Sequence, residues 1–437
     1  MTIQMNRRSL LGATASAMAA LAASGCSTAM MAGRGGRVGY GALVPDPAGF
    51  IDLPQGFTYR VLSKLGDTMS DGFTVPDAAD GMGCFDIGGG KLALVRNHEC
   101  IPGRHDGGGV TGKAYDYVAR SLVPLPGGTT TIVVDARTLA VERQFRSLAG
   151  TIRNCAGGVT PWGSWLTCEE AVVKADGRIN QDHGWVFEVP ARATGLVDPV
   201  PLKAMGRFNH EAACVDPRTG MVYLTEDRAD SLLYRFIPNV PGRLADGGRL
   251  QALALTNGVR DTRNWDGVTV APQSWHPVRW IDLTNVESPD DDLRKAGAER
   301  GAALFARGEG IHMGDGELYF CCTDGGSAKL GQVYRLSLAD GADRLQLFFE
   351  STSPDQFNYG DNLTVAPWGD LVVCEDQYSD AVDNYLRGIT PAGVPYALGR
   401  LRVQTELAGA CFSPDGRTLF VNAYSPAKTF AITGPWV

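Results

Sequence analysis

The chain has 437 residues, 40 Lys+Arg against 48 Asp+Glu, a net charge of −8, 44% hydrophobic residues and 20% charged ones. That composition is globular, too apolar for disorder and too poor in cysteine for a disulfide scaffold. The mild acidity, with no basic run of five or more, argues against a nucleic-acid partner.

Asn6-Arg7-Arg8-Ser9-Leu10-Leu11-Gly12 is a twin-arginine pattern, and the Ala-rich run to Ala23 reads as the weakly hydrophobic core of an export signal. Ala23-Ser24-Gly25-Cys26 offers a lipoprotein-type cleavage site with Cys26 as the candidate anchor, although such boxes usually carry Leu where Ala23 stands. An ordinary cleaved signal is the alternative. Residues 1–26 are therefore assigned to export, 27–50 to a flexible linker and 51–437 to the folded domain. No later stretch is apolar enough to span a bilayer, so a periplasmic or other extracytoplasmic monomer is expected, soluble or tethered by lipid at the outer membrane. A chain that folds in a reducing cytoplasm before export cannot need disulfides. Of its ten cysteines, the nine beyond Cys26 are expected to be buried hydrophobes or metal ligands.

The body repeats one unit: an apolar strand, a Gly turn, a second apolar strand and a polar close. Fifty-five glycines and 24 prolines supply the turns. The first copy runs from Asp80 through Gly88-Gly89-Gly90 to Asn97-His98-Glu99, and the second from Asn154-Cys155 through Pro161-Trp162-Gly163 to Cys168-Glu169-Glu170. The third opens at Asn209-His210-Glu211, turns at Asp216 to Gly220 and ends at Glu226-Asp227-Arg228. Ser288-Pro289-Asp290-Asp291-Asp292 then reads as a helix start, predicting a helical insertion around 288–307 that delivers Arg307-Gly308-Glu309 to the fourth copy. That copy turns at Gly314-Asp315-Gly316 and ends at Cys321-Cys322-Thr323-Asp324. The fifth spans Gly360-Asp361-Asn362 to Glu375-Asp376, and the sixth spans Leu407 to Asn422. Most intervals between the turns approach the 40–50 residues of a four-stranded blade, so six hairpins predict an all-β, six-bladed β-propeller. A β-sandwich is the alternative, but it gives no reason for acidic strand ends to recur.

A tight hairpin sets the start of its first strand beside the end of its second. Around a propeller axis these polar ends would meet at one mouth. It would gather Glu99, Glu169, Glu170, Glu211, Glu226, Asp227, Glu309, Asp361, Glu375 and Asp376, with Cys168. Carboxylates so crowded cannot all stay ionised without cations, which predicts several bound metal ions. Oxygen ligands suit calcium, and a thiolate among carboxylates suits a transition metal such as iron. The six histidines show no HExxH spacing, and the chain has no GxSxG elbow and no glycine-rich phosphate cradle entering a helix. His98 and His210 sit in identical Asn-His-Glu triplets, where the adjoining glutamates are the better ligands.

The strings Asn154-Cys155-Ala156-Gly157-Gly158, Pro161 to Glu170, Asn209-His210-Glu211-Ala212-Ala213, Arg307-Gly308-Glu309-Gly310 and Gly360-Asp361-Asn362-Leu363 together resemble the PhoX family of exported alkaline phosphatases. The resemblance runs from about Gly56 to Tyr424 and implies a β-propeller centred on oxo-bridged ferric iron (Fe(3+)) with calcium (Ca(2+)) alongside. It places Cys168, Glu211 and Glu309 as iron ligands and Arg307 as a phosphate-holding arginine. Glu169, Glu170, Asp361 and Glu375 become calcium or bridging ligands, and Asn154 a phosphate contact. The implied reaction is hydrolysis of a small phosphomonoester. The chain is shorter than the well-known family members, so outer loops that shape substrate access are expected to be missing. Two other readings stay open: a calcium-dependent lactonase-like hydrolase, and a non-catalytic scaffold whose metals only hold the blades.

Overall fold

The structure, a computed structural model, describes residues 38–339, 342–377 and 383–437. The export signal and Cys26 lie outside the described residues. The predicted hairpins form six antiparallel pairs. These are Ala79–Gly88 with Lys91–His98, Asn154–Val159 with Ser164–Glu169, and His210–Val215 with Val222–Glu226. Gly308–Met313 with Glu317–Cys322, Gly360–Val365 with Leu371–Glu375, and Leu407–Phe412 with Thr418–Ala423 follow. Gly163 and Gly369 take φ of 85° and 91° in their turns, a left-handed conformation that glycine adopts at little cost.

The opening strands of successive hairpins lie against one another, and the sixth lies against the first. Such contact needs small residues at the axis. A Cβ on Gly81 would come within 2.5 Å of the Ala156 backbone, and one on Gly310 within 2.6 Å of the Leu363 nitrogen. The ring is closed by the two ends of the chain, because Thr58–Lys64 pairs with Lys428–Thr433 in the sheet of the sixth hairpin.

The result is an all-β, propeller-like arrangement, but its hydrogen bonding corrects the expectation of six separate blades. The described residues form five sheets, of three, four, four, six and nine strands. The largest forms because Trp275–Asp282 pairs with Gly248–Leu255 on one side and Arg344–Glu350 on the other, joining the third and fourth hairpin groups. The six-stranded sheet recruits Leu43–Val44 and Ile51–Pro54. Part of the expected linker is thus built into a sheet, and Tyr40 packs edge-on against Phe57 with centroids 5.0 Å apart.

The predicted insertion is also shorter than expected, with its helix confined to Leu293–Glu299. Ser288 and Asp291 have φ of 32° and 53°, which no right-handed helix can include, so the helix starts only after them. Strand faces pack on neighbouring sheets. Leu166, Cys168, Val186, Phe208, Leu224 and Phe236 share one such layer, and each large side chain there contributes about 1.5–3 kcal/mol by burial. The nine cysteines among the described residues are all free and, apart from half-exposed Cys84, buried. No helix among them is long and apolar enough to cross a membrane.

Candidate metal centre

Each opening strand breaks register near its start, between Ala79 and Met82, Asn154 and Gly157, His210 and Ala213, Gly308 and Ile311, Gly360 and Leu363, and Ala408 and Cys411. A β-bulge suspends the two-residue alternation and re-aims the side chain within it. In the first five hairpins the second residue of the strand falls in the bulge: Asp80, Cys155, Glu211, Glu309 and Asp361. All five line one pit of about 250 Å³. A second tier comes from the residue just after five of the six closing strands, and Glu99, Glu170, Asp227, Asp376 and Tyr424 line the same pit. The residue just before the opening strand supplies Arg153, Arg307 and Glu406.

The bulges are held in place by polar side chains, because a buried carbonyl freed from a ladder must find another donor. Asn97 Nδ2 donates to the Cys155 and Ala156 carbonyls, both at 2.8 Å. Thr225 Oγ1 donates to the Glu309 carbonyl at 2.6 Å, Thr323 Oγ1 to that of Gly360 at 2.9 Å, and Asn422 Nδ2 to that of Asp80 at 2.6 Å. In each case the donor belongs to the preceding hairpin, so neighbouring sheets set each other's pit residues.

Burial, and then repulsion from neighbouring acids, pushes the carboxyls of Asp80, Glu170, Glu211, Glu309 and Glu406 well above their usual range. Burial and Asp376 push Asp361 up to about 7. Cys155 Sγ donates to Glu211 Oε1 at 3.2 Å, while Glu211 Oε2 is buried with no hydrogen-bond partner. Two cations are built in among the acids. Arg153 bonds Glu99 at 2.9 Å and Glu170 at 2.5 Å, and Arg307 bonds Asp227 at 2.8 Å and Glu309 at 3.0 Å.

Four triads of ligand atoms lie within 4.8 Å of one another: Asp80/Glu99/Cys155, Cys155/Glu170/Glu211, Glu211/Glu309/Asp361 and Asp361/Asp376/Glu406. Successive triads share Cys155, Glu211 and Asp361, so the donors form one continuous arc.

Of the residues expected at the site, Glu170, Glu211, Arg307, Glu309 and Asp361 meet in this pit. Five others are placed elsewhere, which corrects the expectation for each. Cys168 lies in the apolar layer between the second and third sheets, where burial alone raises its thiol pKa. Its strand face points at a neighbouring sheet and not along the axis. Glu169 accepts from His183 Nδ1 at 2.6 Å and from the Gly184, Trp185 and Ile152 amides. Glu375 accepts from Arg387 Nε at 2.7 Å and from the Asn358 and Tyr385 amides. Asn154 is fully buried, bonded to the Thr151 and Thr167 hydroxyls. Glu226, expected at the same mouth, takes the Tyr234 hydroxyl at 2.6 Å.

Sequence reading passed over Asp80, Cys155, Arg153, Glu406 and Tyr424. The usable signal was the place of each residue relative to its hairpin, since all occupy the three repeated positions. His98 and His210 are buried away from the pit, bonded to the Asp77 and Gly206 carbonyls at 2.9 Å, and burial depresses both imidazoles.

An acidic, metal-competent pit at the axis of a propeller-like β-fold defines the class of protein. The sequence profile of the alkaline phosphatase PhoX family matches residues 38–142 and 135–427. The chain belongs to that family and is a phosphatase enzyme. PhoX of Pseudomonas fluorescens, solved in complex with vanadate as a transition-state analogue, shares the fold with a TM-score of 0.69 at 20% identity. The likeness covers 91% of this chain and 98% of that one. A gluconolactonase of Xanthomonas campestris is more distant, with a TM-score of 0.36 and 14% identity over 83% of this chain and 97% of its own. A search of curated proteins finds no match.

Proposed function

We propose that the chain is a metal-dependent phosphomonoesterase whose reaction centre is the axial pit, with iron at the two triads that share Cys155, Asp80/Glu99/Cys155 and Cys155/Glu170/Glu211, and calcium at the two all-oxygen triads. The observation that carries this reading is Glu211. Its carboxylate lies between two triads with one buried oxygen left without a partner, a costly state that a multivalent cation relieves. The donor chemistry agrees: hard oxygens suit calcium, and one thiolate among carboxylates suits iron.

Bound metals supply Lewis-acid polarisation of phosphoryl oxygens and a nucleophile at neutral pH. The protein does the positioning. Arg307 is anchored by Asp227 and Glu309 through Nε and Nη2 while its side chain stays 33% exposed, which leaves its Nη1 amino group able to reach phosphoryl oxygens. Although burial opposes its charge, Glu309 and Asp227 hold its pKa above the usual arginine value, so it stays cationic through the reaction. Tyr424, whose hydroxyl bonds Glu99, is kept protonated first by burial and then by that neighbouring acid. The twin-arginine pattern and the family together support action in the periplasm after export.

Metal-replete protein is expected to release phosphate from an aryl phosphate and to lose turnover on chelation. Arg307→Ala should lower kcat/KM by about 10²–10³-fold, the effect of removing one transition-state charge contact. Metal-loaded protein inert toward phosphomonoesters would overturn the reading.

A further inference from the structure

Arg153 and Arg307 share more than a pit. Each stands immediately before the opening strand of its hairpin, and each takes a left-handed backbone, with φ of 48° and 52°. Ala78 and Tyr359 take the same conformation before their own opening strands, with φ of 51° and 53°, so the repeat itself imposes it and sets the direction of the side chain at this position. In both residues Nε and Nη2 are engaged by two carboxylates, Glu99 and Glu170 for one and Asp227 and Glu309 for the other. In both, Nη1 makes no bond to protein among the described residues, and the side chain is 33% exposed. Both guanidiniums also act on the same Glu170 carboxyl through their charge.

Resting on the phosphatase reading, we propose that Arg153 is a second phosphate-binding residue, paired with Arg307, and that the pair selects terminal phosphoryl groups over diesters. Two unused N–H edges in one pit call for a ligand with several anionic oxygens. A monoester dianion presents three non-bridging oxygens and two charges, enough for both forks and for bound cations. A diester presents two such oxygens and one charge, and its second ester arm must occupy the space of one fork. The carboxylates behind each arginine fix its direction, so the fork is set before substrate arrives.

The test uses the metal-replete full chain, an aryl phosphate monoester, an aryl diester, and inorganic phosphate as the binding probe. Asn tolerates a left-handed backbone, so Arg153→Asn removes the guanidinium with little backbone penalty, and Arg153→Lys keeps the charge without the fork. Arg153→Asn is expected to raise the phosphate Kd and the monoester KM by about 10–100-fold, with metal content unchanged and the diester KM moved by less than about threefold. Arg153→Lys should recover part of that loss. An unchanged phosphate Kd in a metal-replete variant of an active enzyme overturns the inference and leaves the phosphatase reading intact. Weakened phosphate binding that metal re-addition fully restores also overturns it, since Arg153 then only holds Glu99 and Glu170. Wild-type protein that neither binds phosphate nor cleaves either ester overturns the inference and the reading together.

Discussion

Two sets of buried carboxylates in this fold behave in opposite ways. Glu169 and Glu375 end their strands and point into the sheets, where His183, Arg387 and backbone amides satisfy both carboxylates. Glu211, Glu309 and Asp361 sit in bulges at the axis, where burial and like charges raise their pKa values and Glu211 keeps one oxygen unpartnered. Acidity and burial are common to both sets. What separates them is whether the protein itself supplies the counter-charges and donors. The first set is finished architecture, and the second leaves ligand atoms grouped within 4.8 Å of one another.

Substitutions in the two sets therefore differ most in what they remove. Glu309→Gln, measured by steady-state hydrolysis of an aryl phosphate, is expected to lower kcat/KM by about 10²–10³-fold while leaving the melting transition of metal-free protein no lower. A gain in metal-free stability would sharpen the contrast, because one repelling charge has been deleted. Glu169→Ala is expected to do the reverse. Breaking its buried contact with His183 and three amides should cost about 3–5 kcal/mol in denaturant unfolding, with metal content per folded molecule unchanged.

A smaller effect follows pH and involves both sets, since burial pushes Glu375 up to about 7 as well. Asp361 titrates near 7 in the fold against 3.8 when unfolded, so the folded state holds its proton more tightly across that window. Stability from this group is complete at low pH and falls as pH rises towards 7. Metal-free protein should melt at a lower temperature at pH 7 than at pH 5, and added divalent and ferric ions should shrink the difference to the share of Glu375, which lies outside the pit. A metal-free melting temperature that rises over this range would break the comparison.

The hairpins, their turns and the propeller-like class were legible in the sequence because alternation and glycine turns are local signals. Gathering acids at one mouth was legible too, since the repeat places polar residues at both ends of every hairpin. The register inside the mouth was not. A bulge shifts the side-chain direction by one residue without a residue-type signature, so Cys168 and Glu169 looked as well placed as Cys155 and Glu170. The joining of two hairpin groups through Trp275–Asp282 was equally hidden, because edge pairing depends on which strands meet in space. Glu406 escaped notice because it precedes a hairpin with Ala408 at the bulge position and lacks the acid run of its neighbours.

Elemental analysis of the full chain beside its Cys155→Ser and Cys168→Ser variants puts the pit to the most direct trial. Wild-type protein is expected to carry several metal equivalents including iron, Cys155→Ser to lose iron, and Cys168→Ser to keep the wild-type complement despite about 1–3 kcal/mol of lost stability from a hydroxyl in an apolar layer. Iron lost from Cys168→Ser but retained by Cys155→Ser, or an active wild-type enzyme without metal, would contradict the account.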